Sequence, residues 1–286
     1  MNRLNFINTS VNESFDRLGY AVIDLLNRND VPALRKKALS WRSGVSHHFY
    51  TSFWSEDPNY RLQVDQFIKE TIWPRAQQIF SNFRPVLGDL LVKRPSLFRH
   101  FPLHQDWTFV DESNFTSIYI WMPLQDVDVR NGCLHVVPGS HQILDKVRGP
   151  NINPTYEKYS SKLSEFLVPV PLKAGQAVVF SQALLHSSPP NRSFLKRVAM
   201  GLLVIPEEAK LIHCHYDVNR RRVDQYDVTP EFYQNYSNGK NFKAMLQSSQ
   251  FESPSLKPAS TSVTVNMDVM SENEVLERIR NIYGTV

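Results

Sequence analysis

The chain has 286 residues, of which 42% are hydrophobic and 21% charged, a composition typical of a globular protein with a substantial core. The net charge of +4 comes from scattered basic residues apart from one run at 220–222, so it gives little support for nucleic-acid binding. Two cysteines, Cys133 and Cys214, are too few for a disulfide framework. The first residues lack the apolar core of a signal peptide, and no segment reaches the ~18 apolar residues of a membrane span. We therefore expect a cytoplasmic protein without a nucleic-acid or membrane partner.

Residues 1–88 are predicted to form a mostly helical outer layer. In NDVPALRKKALSWRS, Asp30 is a candidate N-cap, Pro32 falls in the first turn, and apolar residues recur at helical spacing. The segment QVDQFIKETIWPRAQQIFSNF continues this pattern, and Val64 and Ile68 are placed to cover one face of a sheet. Helices are therefore expected outside a β core.

Residues 89–206 carry short strand patterns separated by glycine, proline and asparagine. TSIYIWMPLQDV, GQAVVFSQALLH and KRVAMGLLVIP are rich in β-branched, aromatic and aliphatic residues, and Asn131-Gly132 is typical of a hairpin turn. Many short strands with such turns favour a sandwich or barrel. Residues 207–286 are expected to be an extension ending in a helix, because SENEVLERIRNIYG carries a capping pattern.

The stretch PLHQDW contains a candidate metal site. Alternate residues of a strand point to the same side, so His104 and Asp106 would present an imidazole and a carboxylate to one face. A second histidine would complete a facial set suited to non-haem Fe(II). His135, His141 and His186 are the candidates. We favour His186, because it ends a strand-like run and precedes a polar turn, as expected at the mouth of a barrel.

Arg197 follows His186 by 11 residues and begins the strand-like run RVAMGLLVIP. A buried arginine beside a metal requires a carboxylate partner, which a dicarboxylic cosubstrate would supply with bidentate geometry. The alternative interpretation is an exposed charge at the start of a strand.

Together these motifs resemble the phytanoyl-CoA dioxygenase family of Fe(II)/2-oxoglutarate-dependent oxygenases. The resemblance covers about residues 90–205 and rests on HxD, W-x-x-L-x-D, N-G-x-L-x-V-x-P-G-S-H, and H-x-S-x-x-N-x-S followed by a distant arginine. It implies a mainly β fold with flanking helices, built on a double-stranded β-helix (jelly-roll) core. The whole chain, 1–286, would then be a single catalytic domain.

The resemblance also implies a set of site residues. Those implied to bind Fe(II) are His104, Asp106 and His186, and those implied to lie at 2-oxoglutarate are Arg197, Trp121, Lys93 and Ser193. In this interpretation Arg197 pairs with the distal carboxylate of 2-oxoglutarate, and Trp121 lies close to the same molecule.

The reaction implied is oxidation of a small-molecule metabolite by O₂, with Fe(II) as cofactor and 2-oxoglutarate as cosubstrate. Hydroxylation of an unactivated C–H, with release of succinate and CO₂, is the expected outcome. Relatives that halogenate carry a small residue in place of the carboxylate ligand, so the presence of Asp106 argues against halogenation. The substrate, the carbon attacked and the oligomeric state are left open.

Four aromatic residues are candidates for substrate contact. Trp107 and Phe109 follow the HxD directly, and Phe49 and Trp54 belong to an aromatic loop. Each has a plain alternative as core packing. Three other functions are alternatives. The first is a cupin-like metal-binding isomerase, which would not need Arg197, and the second is a non-catalytic β-helix binding protein, which would not need all three metal ligands. The third is a protein- or nucleic-acid-modifying member of the wider superfamily, against which the modest net charge argues.

Overall fold

The computed structural model describes residues 5–41, 47–144, 147–236, 242, 245 and 271–284. The strands within these ranges are β1 Tyr20–Asp24, β2 Phe49–Thr51, β3 Phe83–Lys93, β4 Phe101–His104, β5 Ile118–Pro123, β6 Leu134–Val136, β7 Val168–Val170, β8 Gln176–Ser181, β9 His186–Ser188, β10 Arg197–Pro206, β11 Ile212–Asp217 and β12 Arg222–Asp227. The α-helices are α1 Thr9–Leu18, α2 Val31–Ser40, α3 Pro58–Ala76, α4 Ser160–Leu163, α5 Pro230–Asn235 and α6 Glu272–Tyr283.

Ten of these strands form two antiparallel sheets. The major sheet has the order β1-β8-β5-β10-β3-β2 and the minor sheet β4-β9-β6-β7, while β11 and β12 form a separate pair. From β3 onward the chain passes repeatedly between the sheets, since β3, β5, β8 and β10 are in the major sheet and β4, β6, β7 and β9 in the minor one. This winding is that of a double-stranded β-helix.

The central strand β10 shows how the major sheet divides its two faces. All ten of its residues are buried, and successive side chains point to opposite sides. Met200 and Leu202 belong to the core shared with the N-terminal helices, whereas Arg197 and Leu203 line a cavity on the other face of the sheet. The alternation of side chains along the strand therefore places packing residues on one face of the sheet and cavity-lining residues on the other.

The helical layer packs on the first of these faces. Asp57 caps the start of helix α3, and its side chain accepts hydrogen bonds from the Asn59 and Tyr60 amides. It buries Val64 and Ile68 fully against the major sheet. At full burial each such side chain contributes about 1.5–3 kcal/mol of hydrophobic stabilisation.

Two expectations from the sequence differ from the structure. Residue 88 is not a boundary between layers, because β3 runs through it and β1 and β2 join the major sheet. The hairpin predicted at Asn131-Gly132 is wrong, because β5 and β6 lie in different sheets. The Asn131 side chain instead accepts the Asp128 amide, and Gly132, at φ +85°, turns the chain between sheets.

The predicted final helix is confirmed as α6. The Ser271 hydroxyl accepts the Glu274 amide while the Glu274 carboxylate accepts the Ser271 amide, which is a capping box. Its residues Val275 and Ile279 pack in the core beneath the minor sheet. Much of the extension, residues 246–270, lies outside the described residues. Over the ranges that are described, no helix is both long and apolar enough to cross a bilayer.

The contact between α3 and β3 gives a test of the fold. Gly88 faces the helix, its amide donates to Asp65 Oδ1 at 2.7 Å, and a Cβ at this position would lie 2.8 Å from the Ile68 Cβ. We expect Gly88→Ala to lower the free energy of unfolding by about 1–3 kcal/mol, because the helix must move away from the sheet.

Urea unfolding followed by circular dichroism measures this change. Gly284→Ala is the matched control, because residue 284 lies at the end of α6 with φ −67° and the nearest atom to a Cβ there is 3.2 Å away. Equal stability of the two variants would contradict close packing of α3 on β3.

Candidate functional site

Antiparallel pairing brings three potential metal ligands together in the minor sheet. His104, the last residue of β4, lies directly opposite His186, the first residue of β9. Asp106 follows two residues later, and its amide donates to the Gln182 carbonyl at 3.0 Å. One ligand atom from each of the three residues lies within 4.8 Å of the others. Two imidazoles and one carboxylate facing a common point can hold a divalent ion and leave its other side open.

Both imidazoles are oriented by the same local hydrogen bond. The Nδ1 of His104 donates to the Pro102 carbonyl, and the Nδ1 of His186 donates to the Leu184 carbonyl, each at 2.9 Å. Each Nε2 is therefore left facing the Asp106 carboxylate. The His104 Nε2 lies 3.6 Å from Asp106 Oδ1, and the His186 Nε2 lies 3.9 Å from Asp106 Oδ2. Burial lowers the pKa of His104 and of His186 to about 4, so both imidazoles are neutral at pH 7, as metal coordination requires.

The backbone at Asp106 is braced by a buried ion pair. Arg148 donates from Nε to the Asp106 carbonyl at 2.6 Å and from both terminal nitrogens to the Glu112 carboxylate at 2.8 and 2.6 Å. The two side chains are only 7% and 11% exposed. The Thr108 amide and hydroxyl also bond to the Arg148 backbone. This brace fixes the segment that carries the carboxylate ligand, while burial raises the pKa of Asp106.

Arg197 lies on the facing major sheet and enters the same cavity. It is 1% exposed, and its guanidinium lies 5.1 Å from the centroid of the Trp121 ring. Its Nε and Nη1 have no hydrogen-bond partner among the described residues. Burial lowers the pKa of Arg197 to about 10, so it remains charged at pH 7. A buried cation with two unused donors fits a carboxylate entering from the cavity.

The other two residues expected at 2-oxoglutarate are placed differently. Lys93 is the cross-strand neighbour of Arg197, but its Nζ donates to the carbonyl and hydroxyl oxygens of Ser188 at 2.7 and 2.9 Å. Burial lowers the pKa of Lys93 to about 7. Ser193 does not line the cavity, because its hydroxyl donates to Asn191 within the turn before β10. Ser188, on β9, lines the cavity.

The ligands and Arg197 open into one cavity of about 390 Å³ between the two sheets. Its lining is mostly apolar and aromatic. All four residues expected at the substrate line it: Phe49, Trp54, Trp107 and Phe109. The volume falls within the ~300–1,000 Å³ typical of small-molecule sites.

The two rejected histidines lie outside the cavity lining. His135, on β6, pairs with Ser187 and is half-buried, and His141 lies in a short 3₁₀ turn against the Asp16 carbonyl. Neither belongs to the ligand cluster.

Several cavity residues were not expected from the sequence. The most prominent is Asp89 in the middle of β3, which is bonded by the hydroxyls of Thr51 and Tyr119. A signal was present, because Asp89 and Lys93 are charged residues at even spacing in a strand whose other residues are mainly apolar. Its partners, 38 and 30 residues away, could not be identified without the fold.

Comparison with known proteins gives one family. The family model described as Phytanoyl-CoA dioxygenase (PhyH) matches residues 16–199. Phytanoyl-CoA dioxygenase 1 of Oryza sativa subsp. japonica is 31% identical over 156 residues, covering 50% of this chain and 53% of that protein. Phytanoyl-CoA dioxygenase of Arabidopsis thaliana is 29% identical over 136 residues, covering 44% and 46%. The chain thus spans about half the length of the curated relatives it matches.

Solved structures give the fold. EvdO2 from Micromonospora carbonacea var. aurantiaca, complexed with 2-oxoglutarate, matches with a TM-score of 0.53 and 22% identity over 72% of this chain and 94% of its own. HygX from Streptomyces hygroscopicus, with nickel, 2-oxoglutarate and hygromycin B bound, matches with a TM-score of 0.52 and 14% identity over 71% and 88%. These likenesses confirm the predicted jelly-roll core with flanking helices.

The ion pair behind Asp106 gives a stability prediction. Glu112→Gln leaves the Arg148 guanidinium buried without its carboxylate, so we expect a loss of about 3 kcal/mol in the free energy of unfolding. Denaturant unfolding measures the loss. Asp128→Asn is the control, because its ion pair with Arg130 is exposed and should contribute less than about 1 kcal/mol. A loss of the same size in both variants would contradict a special role for the buried pair.

Proposed function

Because the chain belongs to the phytanoyl-CoA dioxygenase family, we propose that it is an Fe(II)- and 2-oxoglutarate-dependent dioxygenase that hydroxylates a C–H of a small-molecule metabolite. One observation carries the proposal. A cluster of two histidines and one aspartate shares a cavity with a buried arginine that has unused donors. The two histidines and the aspartate suit iron, and the arginine suits the distal carboxylate of a dicarboxylic acid.

The metal would be held by the Nε2 atoms of His104 and His186 and by the carboxylate of Asp106. The Nδ1 hydrogen bonds fix both rings in the neutral tautomer that binds metal through Nε2. A facial set of three protein ligands leaves positions for the cosubstrate and for O₂. When bound, iron and 2-oxoglutarate supply the oxidising chemistry, in which O₂ is reduced and the cosubstrate is converted to succinate and CO₂.

The cosubstrate would be oriented by the major sheet. Arg197 would bind its distal carboxylate, and the Trp121 ring would hold the guanidinium in position from one side. Lys93 is bonded to Ser188 and does not belong to the cavity lining, so it would support the site beside Arg197 rather than contact the cosubstrate directly. The clamp and the metal ligands come from opposite sheets, so a molecule bridging them spans the cavity.

The substrate would be positioned by the aromatic lining. Trp107 and Phe109 extend from the metal-binding segment, and Phe49 and Trp54 approach from β2 and the turn after it. Their rings exclude water and restrict which C–H of a bound molecule faces the metal. A cavity of about 390 Å³ fits a small metabolite better than a folded macromolecule.

The competing functions account for less of the site. A cupin-like isomerase has no need for the buried guanidinium of Arg197 with unused donors. A non-catalytic binding protein has no need for two histidines whose Nδ1 atoms are both fixed by hydrogen bonds. Halogenation would need a position that the Asp106 carboxylate occupies in the proposed ligand set.

The metal ligands can be tested by turnover and by direct binding. We expect Asp106→Ala and His186→Ala to reduce substrate-stimulated succinate formation at least about 100-fold, because each removes one of three protein ligands. Calorimetric titration with Fe(II) under argon should show the matching loss of metal affinity. His135→Ala is the control, since this histidine lies nearby without contributing to the cluster. Full turnover by Asp106→Ala would exclude the ligand assignment.

Arg197 can be tested by its effect on 2-oxoglutarate affinity. We expect Arg197→Met to weaken binding by about 2 kcal/mol or more, roughly 30-fold, because the distal carboxylate loses a desolvated, bidentate partner. The measurement is titration of the Fe(II) protein with 2-oxoglutarate in the absence of O₂. Lys196→Met removes the neighbouring, exposed charge and should leave the affinity unchanged. An unchanged affinity in Arg197→Met would show that the dicarboxylate is held elsewhere.

A further inference from the structure

The cavity contains a second carboxylate, that of Asp89, which neither the proposed metal site nor the cosubstrate clamp uses. Asp89 lies in β3 between Leu87 and Leu91, and it is only 9% exposed. In spite of this burial it lines the cavity together with its two apolar neighbours at even spacing. It therefore faces the space that the substrate would occupy.

Three other strands contribute to the surroundings of this carboxylate. The Thr51 hydroxyl, from β2, donates to Oδ2 at 2.6 Å, and the Tyr119 hydroxyl, from β5, donates to Oδ1. Gly201, from β10, makes room for them, because a Cβ there would collide with the Tyr119 hydroxyl and lie 2.5 Å from Asp89 Oδ1. The carboxylate is thus held in one orientation by groups that themselves line or border the cavity.

The charge of Asp89 is not balanced within the described part of the protein. No lysine, arginine or histidine in those ranges forms an ion pair with it, and burial raises its pKa to about 6. The two hydroxyl donors leave part of the acceptor capacity of a carboxylate unused, since its two oxygens offer about four lone-pair sites. A buried carboxylate without a cation is costly, and a cation entering the cavity would offset that cost.

The rest of the lining restricts what such a cation could be attached to. Apolar and aromatic side chains such as Phe53, Leu203 and Trp107 line the cavity together with Asp89. The other charged groups of the cavity lining would have partners in the proposed reaction, with iron at the three ligands and a carboxylate at Arg197. Among the charged side chains of the lining, Asp89 is thus left as an acidic contact in a mainly apolar and aromatic wall.

We propose that Asp89 anchors a protonated amine of the substrate, so that the substrate class is a small amine with an apolar or aromatic body. Thr51 and Tyr119 act as positioning residues, because they hold the carboxylate toward the cavity. This inference rests on the proposed function for the identity of the site, but amine binding can be measured without turnover.

The test is calorimetric titration of the full chain, loaded with Fe(II) and 2-oxoglutarate under argon. Probes are phenethylamine, hexylamine and cyclohexylmethylamine, each paired with its N-acetyl derivative and the corresponding alcohol. We expect amines to bind at least about tenfold more tightly than their neutral counterparts, as for a charge-assisted hydrogen bond. Asp89→Asn should remove this preference while leaving 2-oxoglutarate affinity unchanged. Asp24→Asn, which removes an exposed carboxylate on β1, should retain it.

Thr51→Val provides a second variant with an unaltered charge. It removes one donor to Asp89, so amine affinity should change several-fold while binding of the neutral probes stays constant. Equal binding of amines and neutral probes to the unmodified chain, or an amine preference that persists in Asp89→Asn, would overturn the proposal. Failure of the proposed function itself would be seen separately, as a protein that binds no 2-oxoglutarate in any variant.

Discussion

The antiparallel pairing of β4 with β9 is the interaction on which the rest of the site depends. It places His104 opposite His186, so the two imidazoles are neighbours by register rather than by side-chain adjustment. Each ring then uses the carbonyl two residues earlier to fix its orientation. Asp106 lies beyond the end of β4 and lacks this support, and the ion pair of Arg148 with Glu112 takes its place. One slip of register would move a histidine to the other face of the sheet.

The two faces of the major sheet have different roles. Residues facing the helices are mainly aliphatic and buried, and they supply stability without limiting the cavity. Residues facing the minor sheet include Arg197 and Asp89, whose charges are costly to bury, and Trp121, whose ring packs against the Arg197 guanidinium. The proposed metal ligands come from the minor sheet and the segment after β4, whereas the proposed charged contacts of Arg197 and Asp89 come from the major sheet. The spacing between the sheets therefore sets the distance from the metal ligands to these charged groups.

The sequence was sufficient to predict those features that depend on residues close together in the chain or on a recognisable motif. HxD, the later histidine and the arginine at a strand start could be recognised, and so could the capping box of α6. It was insufficient where contacts join distant segments. Arg148 is 42 residues from Asp106, and Thr51 is 38 residues from Asp89, so neither pairing leaves a local pattern. Ser193 was expected at the site because of its place in a motif, yet its hydroxyl donates to Asn191 and Ser193 does not line the cavity.

Gly201 has a consequence for how this cavity can change over evolutionary time. Its missing side chain is the space in which the Tyr119 hydroxyl meets Asp89, so the three positions are not free to vary independently. A larger residue at 201 is tolerated only after Tyr119 has been replaced by something shorter, and the reverse order passes through a misfit. The order in which substitutions occur at these positions therefore matters. The residue at position 201, in the centre of the sheet, limits which changes in ligand binding the cavity can acquire.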